Sequence, residues 1–208
     1  MEDLIQVILD SIIFILPLWF GNAAPTILGG GPPIDGGRYW RDGKRILGDG
    51  KTIRGFWTGT LVGGIMGGVV GFLGSIFSGT LFPGIFLRVE YPSFLESSVI
   101  FNLLAILKIE EMLSNLFILG FISGGLMTFG GLIGDIIGSF IKRRSGIERG
   151  HSFIFLDQLG FLVLGMIFVY PLIRWPIEWF LVLVPITFII HIAANLFGYF
   201  TGIQEDPL

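Results

Sequence analysis

Long apolar runs decide what this chain can fold into. Five of them stand out, at about 4–27, 56–77, 113–141, 153–173 and 178–200. Each is long enough to cross the hydrocarbon core of a bilayer as a helix, which takes roughly 20 mostly apolar residues. A backbone in lipid must satisfy its own hydrogen bonds, so runs of this length predict helices. The expected fold is an all-α integral membrane protein with five transmembrane helices, residues 1–208 forming a single membrane-embedded domain. Only 14% of the 208 residues are charged and 52% are hydrophobic, whereas soluble domains carry about 25% charged residues. A water-soluble enzyme is excluded, and so is a large extramembrane domain. With no cysteine in the chain, disulfides, thiol catalysis and thiolate metal sites are excluded as well.

The apolar runs have internal detail. Asp10 and Gln6 interrupt the first, and Pro25 is expected to end it. No Lys or Arg precedes Arg38, so this run lacks the basic start of a secretory signal and is expected to stay as a membrane helix. In the second run Gly59, Gly63, Gly67 and Gly71 recur every fourth position, with Gly64 and Gly68 beside them; the third repeats the device with Gly130, Gly134 and Gly138. Such rows let helix backbones approach closely. They serve contacts within a chain or between chains equally, which leaves a homodimer open. The segment 94–107 is apolar but short for a span, and reads as an interfacial or re-entrant helix.

Charge sets the orientation. Arg38, Arg41, Lys44, Arg45, Lys51 and Arg54 lie in the loop 28–55, and Lys142, Arg143, Arg144 and Arg149 in the loop 142–152. Ten of the 13 basic residues therefore share one side of a five-span protein. The positive-inside rule makes that side cytoplasmic, with the N-terminus outside and the C-terminus in the cytoplasm. The expected location is the cell membrane, multi-pass. A net charge of −3 gives no reason to expect a nucleic-acid partner.

The loop 28–55 holds nine glycines, six basic residues and three aspartates in 28 positions. Glycine lets backbone N–H groups close on an anion, and Lys and Arg supply the charge that oxyanions require. A phosphate-binding loop is the reading, against a plain positive-inside loop. GDGKT at 48–52 ends like a Walker A loop, but Arg45 stands where that motif needs its first glycine. Asp135 lies seven residues before Lys142, roughly 10 Å inside the helix end. An intramembrane carboxylate is a functional-site candidate by default. Asp157 sits just inside the start of the next run, and a short connection makes the two helices antiparallel neighbours. Two carboxylates near Lys142, Arg143 and Arg144 suit a divalent cation and phosphate groups.

The run NAAPTILGGGPPIDGGRYWRDGKRILGDGKTIRG, with GDIIGSFIKRRSGIERG and LDQLG, resembles archaeal CDP-archaeol synthase over about residues 20–200. The resemblance implies a cytidylyltransferase that moves CMP from CTP to 2,3-di-O-geranylgeranyl-sn-glycerol 1-phosphate, an isoprenoid glycerol phosphate lipid, among membrane lipids and with Mg²⁺. By carry-over, Asp135 and Asp157 hold the metal and Lys142 and Arg143 neutralise phosphates. Asp35, Gly36, Asp49, Lys51, Thr52 and Arg54 are the nucleotide contacts expected in the first loop. The related CDP-diacylglycerol synthases end their signature Asp-Arg-x-Asp, whereas this chain has Gly160 at the last position.

Other polar residues carry blander expectations. Asp10 is expected to reach water at the outer end of the first span, and Trp175 and Trp179 to anchor the outer interface. Asn22 and Pro25 are expected to break the first helix and open a route for a lipid phosphate. His191 and Asn195 share a face of the last span, where interhelical hydrogen bonding is the usual role of such residues. A small transporter for an anionic solute is the rival reading. The clustering of polar groups on one side, and no visible inverted repeat, weigh against it.

Overall fold

The computed structural model describes residues 4–77, 116–146 and 154–200. They form five helices: α1 Leu4–Leu28, α2 Ile53–Phe77, α3 Leu116–Arg144, α4 Ile154–Val169 and α5 Ile177–Phe200. Three of these, Leu4–Leu28, Ile53–Gly74 and Leu116–Arg144, are long and apolar enough to cross a membrane; α4 and α5 give the shorter apolar stretches Leu159–Val169 and Ile177–Ile190. Among the described residues the architecture is all-helical apart from two single antiparallel pairings in the loop between α1 and α2. Segment 94–107 and His151 lie outside the described residues, as do the side chains of His191 and Asn195.

The helices are joined by backbone. A methyl group added at Gly67 would lie 2.1 Å from the Gly120 carbonyl oxygen, and one at Gly71 would lie 1.9 Å from that of Leu116. The glycine row of α2 thus runs down α3 in antiparallel register. α3 carries two small-residue rows: Gly120 and Gly124 face α2, while Gly130 and Gly134 face α4. Both rows have the four-residue spacing, although only the second is among the sequence expectations. At Gly134 an added methyl would meet the Gly160 carbonyl oxygen at 2.2 Å. A methyl at Gly160 would itself lie 3.3 Å from the Gly134 carbonyl oxygen, a tight contact.

Thr128 sits where α1, α2 and α3 meet. Its buried hydroxyl donates to the Pro17 carbonyl at 3.0 Å. The same threonine occupies the space in front of Gly21 and Gly63. Contrary to the sequence expectation, α1 does not break at Pro25. It runs on to Leu28, with the Gly29 N–H donating to the Pro25 carbonyl at 2.9 Å. Proline removes the N–H that the Gly21 carbonyl would accept. That oxygen instead lies against Gly59 of α2. The lost helical bond thus coincides with a close helix crossing.

Two further expectations are corrected. Asp10 is 4% exposed and accepts a hydrogen bond from Gln6 at 2.8 Å, one helical turn away. It is packed among the helices and does not reach water. Trp179 is 2% exposed and tilts against Phe14 at 5.0 Å between ring centroids. It belongs to the core formed with Ile15, Leu18, Met127, Leu162 and Met166. Trp175 is partly buried and donates from its indole to the Met166 carbonyl at 2.8 Å. α4 also ends at Val169, before the expected boundary, because Pro171 cannot continue it. Apolar side chains such as Leu61, Ile65, Leu181 and Ile189 point outward, as a surface in contact with lipid requires.

Close packing makes a testable contrast. A methyl at Gly63 would fall 1.9 Å from Thr128 Oγ1, whereas at Gly125 it meets nothing nearer than 3.7 Å. Gly63→Ala should destabilise the detergent-solubilised protein by about 1–3 kcal/mol through overpacking. Gly125→Ala should leave stability unchanged or raise it by up to about 1 kcal/mol through helix propensity. Thermal unfolding of both variants checks this, and equal midpoints would contradict the crossing.

Candidate functional site

The loop between α1 and α2 is folded around one carboxylate. Asp35 accepts from the Gly37 N–H at 3.0 Å, the Leu47 N–H at 3.0 Å and the Gly48 N–H at 3.2 Å. Arg45 completes the set, its Nη2 donating to Oδ1 at 3.0 Å. Burial opposes ionisation of Asp35, but Arg45 and the three N–H groups outweigh it and hold the carboxyl well below the usual carboxylate range. Arg45 reaches Asp49 as well, at 2.8 Å. Asp42 closes the tip of the loop by accepting from the Lys44 N–H at 3.0 Å. Backbone pairing does the rest: the Ile34 N–H donates to the Lys51 carbonyl at 2.8 Å and the Trp40 N–H to the Lys44 carbonyl at 2.8 Å. Gly36, Gly37, Gly43 and Gly48 all have positive φ, which is where these turns need glycine.

This folded loop is clamped to the end of α3. Arg144 pairs with Asp42 at 2.8 Å, donates to the Arg45 carbonyl and lies 4.7 Å over the Phe140 ring. Trp40 meets the same ring edge-on at 5.4 Å. Arg143 donates to the Leu47 carbonyl at 3.4 Å, and Lys44 to the Arg144 carbonyl at 3.4 Å. Cations in the last turn of α3 also face its unpaired carbonyl end. The basic residues of the two loops, 100 positions apart in the chain, are thereby brought to one end of the molecule.

Between the clamped loop and the helices lies a cavity of about 590 Å³. Asn22, Thr26, Asp49, Lys51, Thr52 and Asp135 give it polar walls, and Pro25, Ile34, Phe56, Leu132 and Ile136 apolar ones. Lys51 and Asp135 form an ion pair inside it, with side chains 28% and 30% exposed. Thr52 caps α2, its hydroxyl accepting from the Gly55 N–H at 3.0 Å. The first turn of α2 therefore borders the cavity beside Lys51, where the positive end of the helix dipole is favourable for an anion.

Of the residues expected from the sequence, Asp49, Lys51, Thr52 and Asp135 line this cavity. Asp35 and Gly36 belong to the loop scaffold, and Arg54 is exposed in the first turn of α2. Arg143 holds the loop through Leu47, and Lys142 is half-buried one residue earlier. Asp157 falls in the first turn of α4, three residues before the Gly160–Gly134 contact; its side chain lies outside the described residues. Asn22 and Pro25 line the cavity, as a route to it requires, although α1 remains unbroken. The Asp35–Arg45 keystone and the Arg144 clamp are not among the sequence expectations. Their signal was present in the three Asp-Gly pairs at 35–36, 42–43 and 49–50, a turn signature.

Among the described residues no three His, Asp or Glu side chains gather as a metal cage. Magnesium does not need one, since it is commonly held by one or two carboxylates together with substrate phosphates. Asp135 and Asp49 open on the cavity, and Asp135 already faces a cation in Lys51. The donor chemistry fits a magnesium ion bound with phosphates.

Asp35 generates a prediction. A folded-state carboxyl value below the unfolded one, about 3.9, contributes stability that is fully present above the unfolded value. It is lost as pH falls through the folded value. Trp40 fluorescence should thus report an unchanged loop from pH 8 to 5 and loosening only below about pH 4. Asp35→Ala should raise tryptic cleavage at Arg38–Arg45 at least about tenfold at neutral pH, since hydrogen bonds to a charged group are worth about 1.5–3 kcal/mol. Wild-type cleavage rates in that variant would contradict the keystone role.

Similarity to known proteins is found along almost the whole chain. The family model described as CarS-like, CDP-archaeol synthase, matches residues 4–89 and 93–208. A CDP-archaeol synthase of Pyrococcus horikoshii is 40% identical over 96% of this chain and 96% of its own length. Those of Thermococcus kodakarensis and Methanococcus aeolicus are each 39% identical, covering 93% and 98% of this chain and 92% and 98% of their own. A solved structure described as an intramembrane enzyme for archaeal membrane lipids biosynthesis superposes with a TM-score of 0.61. It is 31% identical, and the match covers 91% of this chain and 94% of that one.

Proposed function

The chain belongs to the CDP-archaeol synthase family, a membrane cytidylyltransferase of archaeal lipid biosynthesis, and from that premise we propose how its cavity performs the reaction. The substrates are CTP and 2,3-bis-O-geranylgeranyl-sn-glycerol 1-phosphate, and the products are the CDP-lipid and pyrophosphate, with Mg²⁺ required. The observation that carries this reading is the meeting of Lys51 and Asp135 in one cavity that is polar on one side and apolar on the other. A volume of about 590 Å³ falls within the range of about 300–1,000 Å³ common for small-molecule sites.

The lipid phosphate oxygen attacks the α-phosphorus of CTP in line with the departing pyrophosphate. The protein has to position the two phosphates and neutralise them, with no covalent step of its own. Lys51, Thr52 and the first turn of α2 take the triphosphate. Asp135 and Asp157 would hold Mg²⁺, which would supply charge neutralisation on the phosphate oxygens. Asp49 stands at the cavity wall and Arg54 at its rim. Lys142 and Arg143 add positive potential from the end of α3, while Asp35 and Gly36 serve by keeping the loop in shape. Pro25, Phe56 and Leu132 form the side toward the lipid, next to the exposed Ile27 and Trp57. The remaining topology follows the charge pattern: five spans in the cell membrane, one domain over 1–208, the N-terminus outside, and the site facing the cytoplasm where CTP is available. The clamp that brings residues 42–47 and 143–144 together supports a common side for the two basic loops.

Purified protein with the lipid, Mg²⁺ and each ribonucleoside triphosphate should release pyrophosphate only with CTP. No release with any of the nucleotides, from folded protein, would overturn the reading. Asp135→Asn and Asp157→Asn should each lower kcat/KM at least about a hundredfold, close to 3 kcal/mol of transition-state stabilisation. Half-normal activity would remove that residue from the metal site. Lys51→Ala should act mainly by raising the KM for CTP.

A further inference from the structure

We infer that Lys51 is an exchangeable counter-ion for Asp135: it neutralises the carboxylate while no nucleotide is present and moves to the triphosphate when nucleotide and divalent cation enter together. The inference rests on the functional reading above and adds to it a competition between a side chain and the metal.

Asp135 lies about two turns inside α3 from Lys142. An ionised carboxylate at that depth is costly unless a cation accompanies it. In this structure the cation is the Lys51 ammonium. The pair is not sealed: both side chains are close to one-third exposed and both line the same cavity. An incoming ligand therefore reaches either partner without any helix moving.

The backbone of Lys51 is fixed, and its side chain is not. Its N–H donates to the Gly48 carbonyl at 3.3 Å, its carbonyl accepts from Ile34, and Thr52 next to it caps α2. Exchange is thus a swing of four methylenes about an anchored Cα. Lysine suits this, being a compact point charge on a flexible stem. Nearby, Arg45 is held by Asp35 and Asp49 and Arg144 by Asp42. Lys51 pairs instead with Asp135, an acid whose other role is metal binding.

Competition for one carboxylate has a thermodynamic consequence. Without nucleotide, a divalent cation has to displace Lys51, so its affinity is lowered. With nucleotide, Lys51 has phosphate oxygens to go to, and the penalty disappears. Nucleotide and cation must then raise each other's affinity by the same factor, because linkage is reciprocal. Such a device would keep the site from holding a metal ion without its substrate.

The test uses Mn²⁺ as a spectroscopic stand-in, with free Mn²⁺ measured by electron paramagnetic resonance on the detergent-purified full chain. Without nucleotide, Lys51→Met should bind Mn²⁺ roughly tenfold more tightly than wild type, within the usual 5–150-fold range of coupling between sites. Lys51→Arg, which keeps the charge, should stay near wild type. CTP should tighten Mn²⁺ binding in wild type but much less in Lys51→Met. Asp135→Asn should bind weakly in either condition. Equal or weaker Mn²⁺ binding by Lys51→Met would overturn the exchange. If Lys51→Met does not fold, Lys51→Gln carries the same prediction. The nucleotide-free comparison does not depend on the reaction. Tighter Mn²⁺ binding by Lys51→Met together with no effect of CTP on wild type would support the competition and contradict the CTP reading instead.

Discussion

Backbone contact between helices is what places everything else. At Gly59, Gly63, Gly67 and Gly71 the α2 backbone lies directly on its neighbours, and Thr128 fills a point where three helices converge. In lipid the hydrophobic effect does not drive helices together, so packing and interhelical hydrogen bonds must hold them. Contact this close fixes the register of α2 on α3, and with it the height of Lys51 relative to Asp135. A single methyl group at the crossing would shift that register before it touched any charged residue.

The charges at the loop end of the molecule divide into two kinds. Asp35, Asp42, Arg45 and Arg144 pair with each other and with backbone groups, and they hold the glycine-rich loop in a defined shape. Lys51, Thr52, Asp49 and Asp135 open on the cavity. A loop with nine glycines has a large conformational entropy to lose. The keystone carboxylate and the arginine clamp offset that loss, so the second group is presented on a surface that is already ordered.

Much of this was legible in the chain. The five apolar runs match the five helices closely, and the α2 glycine row announced its packing face. Asp135 was visible because a carboxylate in an apolar run is hard to overlook. What escaped was decided by tertiary contact. Pro25 reads as a helix end, but the carbonyl it strands is covered by Gly59. Trp179 reads as an interface anchor, yet it packs on Phe14 from another helix. Asp35 reads as a ligand contact because composition shows only which charges are present. Which of them are spent on one another depends on turns at 35–37 and 42–44 that bring Arg45 and Leu47 back onto it.

The proposed reaction requires nucleotide in the cavity between the folded loop and Asp135. Photo-crosslinking tests it most directly, using a CTP analogue with a photoreactive group on its terminal phosphate, Mg²⁺, the purified protein and peptide mapping of the adducts. Adducts within residues 48–56 and 132–136 that excess CTP suppresses are the predicted result. CTP-suppressible adducts confined to other helices, with none in these two segments, would contradict the account.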